Sequence, residues 1–247
     1  MIYVTRPSLE GEILTQLFAQ ANLPVQYLPF FTISQGNDLL NLQQQLNKLL
    51  PNDIVIVVSP QVTHVIKAYI GNLILPTNVR YYAIGKKSAQ LFNQLTTTKV
   101  NYPEQEDSEG LLIKLQQESV QNHTVLILCG NSGRQLLAQT LTNRKAKVKS
   151  ITCYCREPIT YPPKILSSNI ENQIIIITSL EHLIQLELYS NLEHKMHANL
   201  IVISQRIFAK AKQLNWQKVQ LVNSANNQKL FNAVMINYAI TDNINNL

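Results

Sequence analysis

Cysteine is scarce in this chain: Cys129, Cys153 and Cys155 are the only 3, an odd number that excludes a simple disulfide framework. Cys153 and Cys155 are separated by one residue, not the two-residue gap of common zinc or thioredoxin-type pairs, so buried thiols are expected. No apolar run approaches the ~18 residues of a membrane span. The chain opens MIYVTRPS, without a basic stretch followed by a long apolar one, and a cytoplasmic protein with no membrane partner is expected. Charged residues are also sparse, 15% against 45% hydrophobic, which speaks against disorder. A chain of 247 residues fits one large domain or two small ones.

Lys and Arg exceed Asp and Glu by 21 to 15, giving a net charge of +6 that favours an acidic partner. Nucleic acid, a membrane surface and a polycarboxylate all qualify, but no continuous basic stripe interleaved with aromatics marks a nucleic-acid binder. The run NRKAKVKS (143–150) begins at the expected end of a helix, where cations offset the negative dipole end. No Ser/His/Asp order, paired acidic signature or flavin motif stands out. His194 and His197 have a spacing seen in metal sites but no evident third or fourth ligand. No metal and no cofactor are expected.

Short runs rich in Val, Ile and Tyr recur, each followed by a polar turn and a segment of helical period, which is the pattern of parallel strands with crossover helices. The expected strands are 2–5, 25–31, 54–58, 81–84, 124–129, 148–155, 173–178, 199–204 and 218–222. Internal similarity adds to this. IVIVVSPQVTHVI and QIIIITSLEHLIQL share one plan. YYAIGKKSAQLFNQL and LIVISQRIFAKAKQL share a second, each leading into a Lys-Val strand, and IYVTRPSLEGEILTQL matches VLILCGNSGRQLLAQTL. Two similar parallel-sheet domains of flavodoxin-like or Rossmann-like type follow from the repeated plan. Which copy of the first unit belongs to which domain stays open. VQYLPFFTIS and VKSITCYCREP are long enough to pass between domains, and together they would form a two-stranded antiparallel hinge.

The loop CGNSGR, comprising Gly130, Asn131, Ser132, Gly133 and Arg134 after Cys129, ends one strand and opens a helix. Main-chain N–H groups and the positive end of a helix dipole favour an anion there, and Arg134 adds a bidentate donor. It lacks the third glycine of a dinucleotide fingerprint and the Gly-Lys-Ser/Thr of a phosphate loop, so a plain strand-to-helix turn is the competing reading. Four more turns have the same chemistry: Thr5-Arg6-Pro7-Ser8, Ser59-Pro60-Gln61, Gly85-Lys86-Lys87-Ser88 and Thr178-Ser179. In open parallel sheets such turns line the carboxyl edge, where ligands bind. The alternative is that Thr5, Ser59 and Ser179 only cap helices. Strand alternation sends Cys153 and Cys155 to one face and Tyr154 to the other, where its phenol is placed to donate a proton or to pack.

In order, the chain carries VTRP (4–7), Ser59-Pro60, AIG (83–85) with Ser88, and Tyr102-Pro103 followed by Asp107-Ser108-Glu109-Gly110. LILCGNSGR (126–134), CYCR (153–156), ITS (177–179), VIS (202–204), Ala209, Ala211 and QLNW (213–216) complete the series. This ordered set resembles the uroporphyrinogen-III synthase family over nearly the whole chain. The resemblance implies residues 1–29 with 163–247 as one domain, 35–149 as the second, 30–34 and 150–162 as linking strands, and an active site in a cleft. It implies a monomer that closes a linear tetrapyrrole, hydroxymethylbilane, with inversion of ring D and loss of water. The substrate carries eight carboxylates, which suits the basic charge. Tyr154 falls on the family's hinge tyrosine and is the candidate catalytic residue. Thr5, Arg6, Ser59, Pro60, Gly85, Lys86, Ser88, Gly130 to Arg134 and Ser179 are candidates for substrate binding. Gln205 and Ile207 depart from the family pattern, so that turn is assigned no catalytic role. A non-enzymatic hinge-bending receptor for a polycarboxylate is the alternative.

Overall fold

The computed structural model describes residues 1–245 apart from 71, 132–134, 167 and 168, and it leaves the side chains of Ser8 and of residues 238–245 undescribed. The chain divides into two compact units, Met1–Thr32 with Glu157–Leu247, and Ile33–Arg156.

In the first unit β1 (Ile2–Val4), α1 (Ser8–Gln20) and β2 (Val25–Tyr27) come from the N-terminal end; β3 (Phe31–Gln35) then crosses the boundary. The second unit contains α2 (Leu42–Leu46), β4 (Ile54–Val57), α3 (Pro60–Tyr69), β5 (Arg80–Ala83), α4 (Lys86–Phe92), β6 (Val100–Asn101), α5 (Ser108–Lys114), β7 (Thr124–Gly130) and α6 (Gln135–Asn143). The long β8 (Lys147–Pro158) carries the chain back over the boundary. The first unit is completed by β9 (Ile174–Ile177), α7 (Leu180–Glu187), α8 (Leu192–His197), β10 (Asn199–Val202), α9 (Gln205–Gln213), β11 (Val219–Leu221) and α10 (Asn227–Asn245).

The five-stranded sheet runs β11-β10-β9-β1-β2, parallel throughout. The six-stranded sheet runs β3-β8-β7-β4-β5-β6, parallel from β8 to β6. Read β7 for β1, β8 for β2, β4 for β9, β5 for β10 and β6 for β11, and one order becomes the other with the edge strand β3 left over. The second unit is thus a circular permutation of the first, and the paired repeats of the sequence occupy equivalent strands. That resolves the assignment left open above: the N-terminal strand pairs with β9, and the strand before CGNSGR pairs with β4.

Burial explains why these segments are strands. Every residue of Ile54–Val57 and Ile174–Ile177 is buried, as expected for β-branched runs covered on both faces. Alternation then feeds two cores per sheet. Val55 and Val57 join one and Ile54 and Ile56 the other, while Ile175 and Ile177 oppose Ile174 and Ile176 in the first unit. Each such side chain contributes about 1.5–3 kcal/mol by burial.

Two expected strands differ. The run 25–31 is broken into β2 and β3, with Leu28 and Phe30 N–H donating to the Val4 and Thr5 carbonyls. Pro29, between them, has no N–H to continue the ladder. β8 is longer than expected at 12 residues and contains a bulge: Cys129 pairs with Thr152 and Gly130 with Tyr154, leaving Cys153 without an opposite partner. β3 is its neighbour at the sheet edge.

Candidate functional site

In a doubly wound sheet, ligands bind at the carboxyl end where the strand order reverses. In the second unit that point lies between β4 and β7, flanked by Ser59-Pro60 and by Gly130-Asn131. In the first it lies between β1 and β9, flanked by Thr5-Arg6 and Ser179.

Around β7 the geometry is specific. Gly130 ends the strand beside Tyr154, and a Cβ built on it would lie 2.5 Å from the ring carbons Cε2 and Cζ and 3.0 Å from the hydroxyl. Only glycine lets the ring settle there. Tyr154 is 5% exposed, and among the described residues its hydroxyl makes no hydrogen bond. The expected separation of Cys153 from Tyr154 is corrected here. Both pack in the same core cluster, because the bulge inserts one residue and resets the alternation. Cys129 and Cys153 are buried thiols, and burial raises both above the ordinary value. Asn131 is exposed yet engaged: its N–H donates to Tyr154 O (3.1 Å), its Oδ1 accepts from Arg156 N–H (3.0 Å), and its Nδ2 donates to Arg156 O (3.2 Å). Ser132, Gly133 and Arg134 lie outside the described residues.

At the end of β4, Ser59 caps α3, its Oγ accepting from Gln61 N–H at 3.2 Å, and Pro60 holds the first helical position. At the end of β9, Ser179 caps α7 by accepting from His182 N–H at 3.1 Å. Next to it His182, a buried ring that sequence reading did not single out, lies 3.2 Å from the Thr178 hydroxyl and stacks on Phe31.

Thr5 and Arg6 have other duties. Thr5 is fully buried and donates to Ile176 O at 2.7 Å, tying β1 to β9, and α1 has no side-chain cap. Arg6 donates to Ala225 O (2.9 Å) and Asn227 Oδ1 (2.8 Å), locking the start of α1 to that of α10. Burial lowers its pKa, the nearby Glu10 carboxylate opposing that. At Gly85-Lys86 the chain supplies its own anion, the Glu106 carboxylate accepting from Lys86 N–H at 2.9 Å. Ser88 is 4% exposed and offers nothing to the surface, whereas Lys86 is exposed.

His194, whose spacing to His197 carried no expected metal, serves as part of a cap. Asn191 and His194 form a capping box at the start of α8, and burial lowers the His194 pKa. Arg156 was not singled out in the sequence, yet its main chain holds the Asn131 amide. Past the bulge it shares the Tyr154 face of β8 and is half-buried, and the i,i+2 spacing in CYCR was the available signal.

These features define a class: a doubly wound α/β protein in two permuted units, with capped helix N-termini at the carboxyl edge of each sheet and a seated tyrosine beside one of them. A family model described as Uroporphyrinogen-III synthase HemD matches residues 12–232, and the chain belongs to the uroporphyrinogen-III synthase family. It is 38% identical over 163 residues to the uroporphyrinogen-III synthase of Proteus mirabilis, covering 65% of this chain and 82% of that one. Against the Escherichia coli K12 uroporphyrinogen-III synthase it is 29% identical over 245 residues, covering 94% and 99%. The fold is that of a mutant uroporphyrinogen III synthase from Thermus thermophilus, with TM-score 0.62 at 15% identity over 95% and 96% of the two chains. Uroporphyrinogen-III synthetase from Helicobacter pylori gives 0.60 at 14% over 95% and 97%. Among the described residues no helix is long and apolar enough to cross a membrane.

Proposed function

We propose that the protein is a dehydrating lyase of tetrapyrrole synthesis that closes hydroxymethylbilane to uroporphyrinogen III with inversion of ring D, and that Tyr154 assists the step that starts it. The chemistry asks for two things. Departure of the terminal hydroxyl leaves a cation stabilised by the pyrrole itself, so a single proton donor suffices. The flexible chain must then be held so that the substituted carbon of ring D attacks, and positioning is where binding energy is used. Carboxylates of the substrate meet helix N-termini along the carboxyl edge of each sheet, with Ser59, Ser179, Lys86 and Arg134 as donors. β3 and β8 carry the chain from one unit to the other.

The observation that carries the catalytic part is the Tyr154 ring seated on Gly130, with its hydroxyl engaged by no described residue. A phenol so placed donates its proton to the leaving hydroxyl, which departs as water, and the phenolate regains a proton from the substrate when the closed, cationic pyrrole ring re-aromatises. The competing reading, a receptor without chemistry, has no support from the family or the relatives, which are synthases. Tyr154→Phe keeps the ring and removes only the donor. It is expected to lower kcat by about 10-fold or more with KM and melting temperature unchanged, measured on type III product alone. A wild-type kcat in that variant would reduce Tyr154 to packing.

A further inference from the structure

We propose that Asn131 is a positioning residue that sets the Tyr154 ring through the β8 main chain and is not a ligand of the substrate. The proposal rests on the catalytic reading of Tyr154. Side chains in strand-to-helix turns commonly cap the helix, as Ser59 and Ser179 do, but the Asn131 amide is spent on the neighbouring strand instead. Its oxygen accepts from Arg156 N–H and its nitrogen donates to Arg156 O, while its own N–H donates to Tyr154 O. A side-chain amide that offers one donor and one acceptor to a single residue imitates a peptide of a neighbouring strand. Asn131 therefore prolongs the pairing of β7 past its last residue, Gly130.

That prolongation matters because of what precedes it. The bulge at Cys153 interrupts the ladder one residue before Tyr154, so from Tyr154 to Arg156 the β7 side of β8 is fixed by Gly130 and Asn131. Gly130 gives the ring its seat, and Asn131 holds the main chain that carries it. Without the amide, residues 154–156 keep their bulge and lose two of their hydrogen bonds to β7. The ring would then move within its seat, taking the hydroxyl out of line with the leaving group. Losses of that kind fall on kcat, because orientation is a transition-state requirement.

The test uses the full chain with hydroxymethylbilane as substrate and type III product as readout. Asn131→Ala is expected to lower kcat about 10-fold while KM stays within about twofold. In Asn131→Ala/Tyr154→Phe the second loss should add nothing to that of Tyr154→Phe, because residues acting through one another are non-additive. Tyrosine labelled at the ring Cζ, with the Tyr154 carbon signal assigned by its loss in Tyr154→Phe, gives a reading independent of turnover: it should shift or broaden in Asn131→Ala. Asn131→Asp, which keeps the oxygen that accepts from Arg156 N–H and removes the donor to Arg156 O, should move the same signal in the same direction and serves if Asn131→Ala does not fold. An unmoved Tyr154 signal, or a raised KM with wild-type kcat in Asn131→Ala, would overturn the proposal. A Tyr154→Phe enzyme with wild-type kcat would instead sink the catalytic reading, and the carbon signal alone would then decide whether Asn131 places the ring.

Discussion

Glu118 serves two donors from one strand. Its Oε1 accepts from the Tyr82 hydroxyl at 2.5 Å, and its Oε2 pairs with Arg80 at 2.8 Å. The Tyr82 hydrogen bond, and then the Arg80 cation, hold its carboxyl below the ordinary glutamate value of 4.5. The folded carboxyl thus binds its proton less readily than the unfolded one. The stabilisation is fully present above pH 4.5 and is lost as pH falls through the lower folded value. Glu118→Gln should flatten the fall of melting temperature over that acid window; a curve parallel to wild type would contradict the pairing. Glycine is rare, 7 in 247, and no described glycine has positive φ. Asparagine takes that role at residues 22, 52, 122, 215 and 223, with Lys145 the exception at φ 63°. A lysine there costs about 1–2 kcal/mol, part of which Lys145→Gly forfeits in unfolded-chain entropy. The variant should raise the melting temperature by a few degrees, equivalent to about 1 kcal/mol. No rise would mean that the Lys145 side chain compensates for the strain.

The helices repeat one design. α1, α6 and α9 each end with a left-handed residue and paired reverse bonds, as in Lys145 N–H to Thr142 O and Ala146 N–H to Leu141 O, and each then feeds a strand. At helix starts, Ser59 and Ser179 cap α3 and α7, roles legible from a serine placed directly after an apolar strand. Thr5 sits in the same sequence context but bonds to Ile176, 171 residues away, which no local pattern announces. The inward turn of Tyr154 was equally hidden, because a bulge belongs to the pairing of β7 with β8 and not to either segment alone. Capping and substrate binding at Ser59 can be separated. Ser59→Ala should cost about 1 kcal/mol of stability. Ser59→Asp should restore the cap while placing an anion at the proposed carboxylate-binding turn; if that proposal holds, KM should rise several-fold at low salt. If Asp restores stability with KM unchanged, Ser59 is a cap alone.

Across the whole molecule, the repeated motifs predicted two similar sheets, and the strand orders show how similarity survives a shifted starting point: one order is the circular permutation of the other. Composition alone could not reveal that, since permuted units differ in chain order but not in residue content or periodicity. Permutation also places the equivalent turns of the first and second units at equivalent carboxyl edges, Arg6 and Ser179 in one, Asn131 and Ser59 in the other. Yet they are not used alike. Arg6 is bound to α10, whereas the turn after β7 borders Tyr154, so the two edges are built differently and the proposed chemistry falls in the second unit alone. The most direct measurement supplies hydroxymethylbilane to the purified protein and resolves the two uroporphyrinogen isomers against an enzyme-free blank, in which the linear substrate closes without inversion to type I. Type III should predominate, and its share should rise with the amount of protein; type I alone, formed at the rate of the blank, would contradict the assignment.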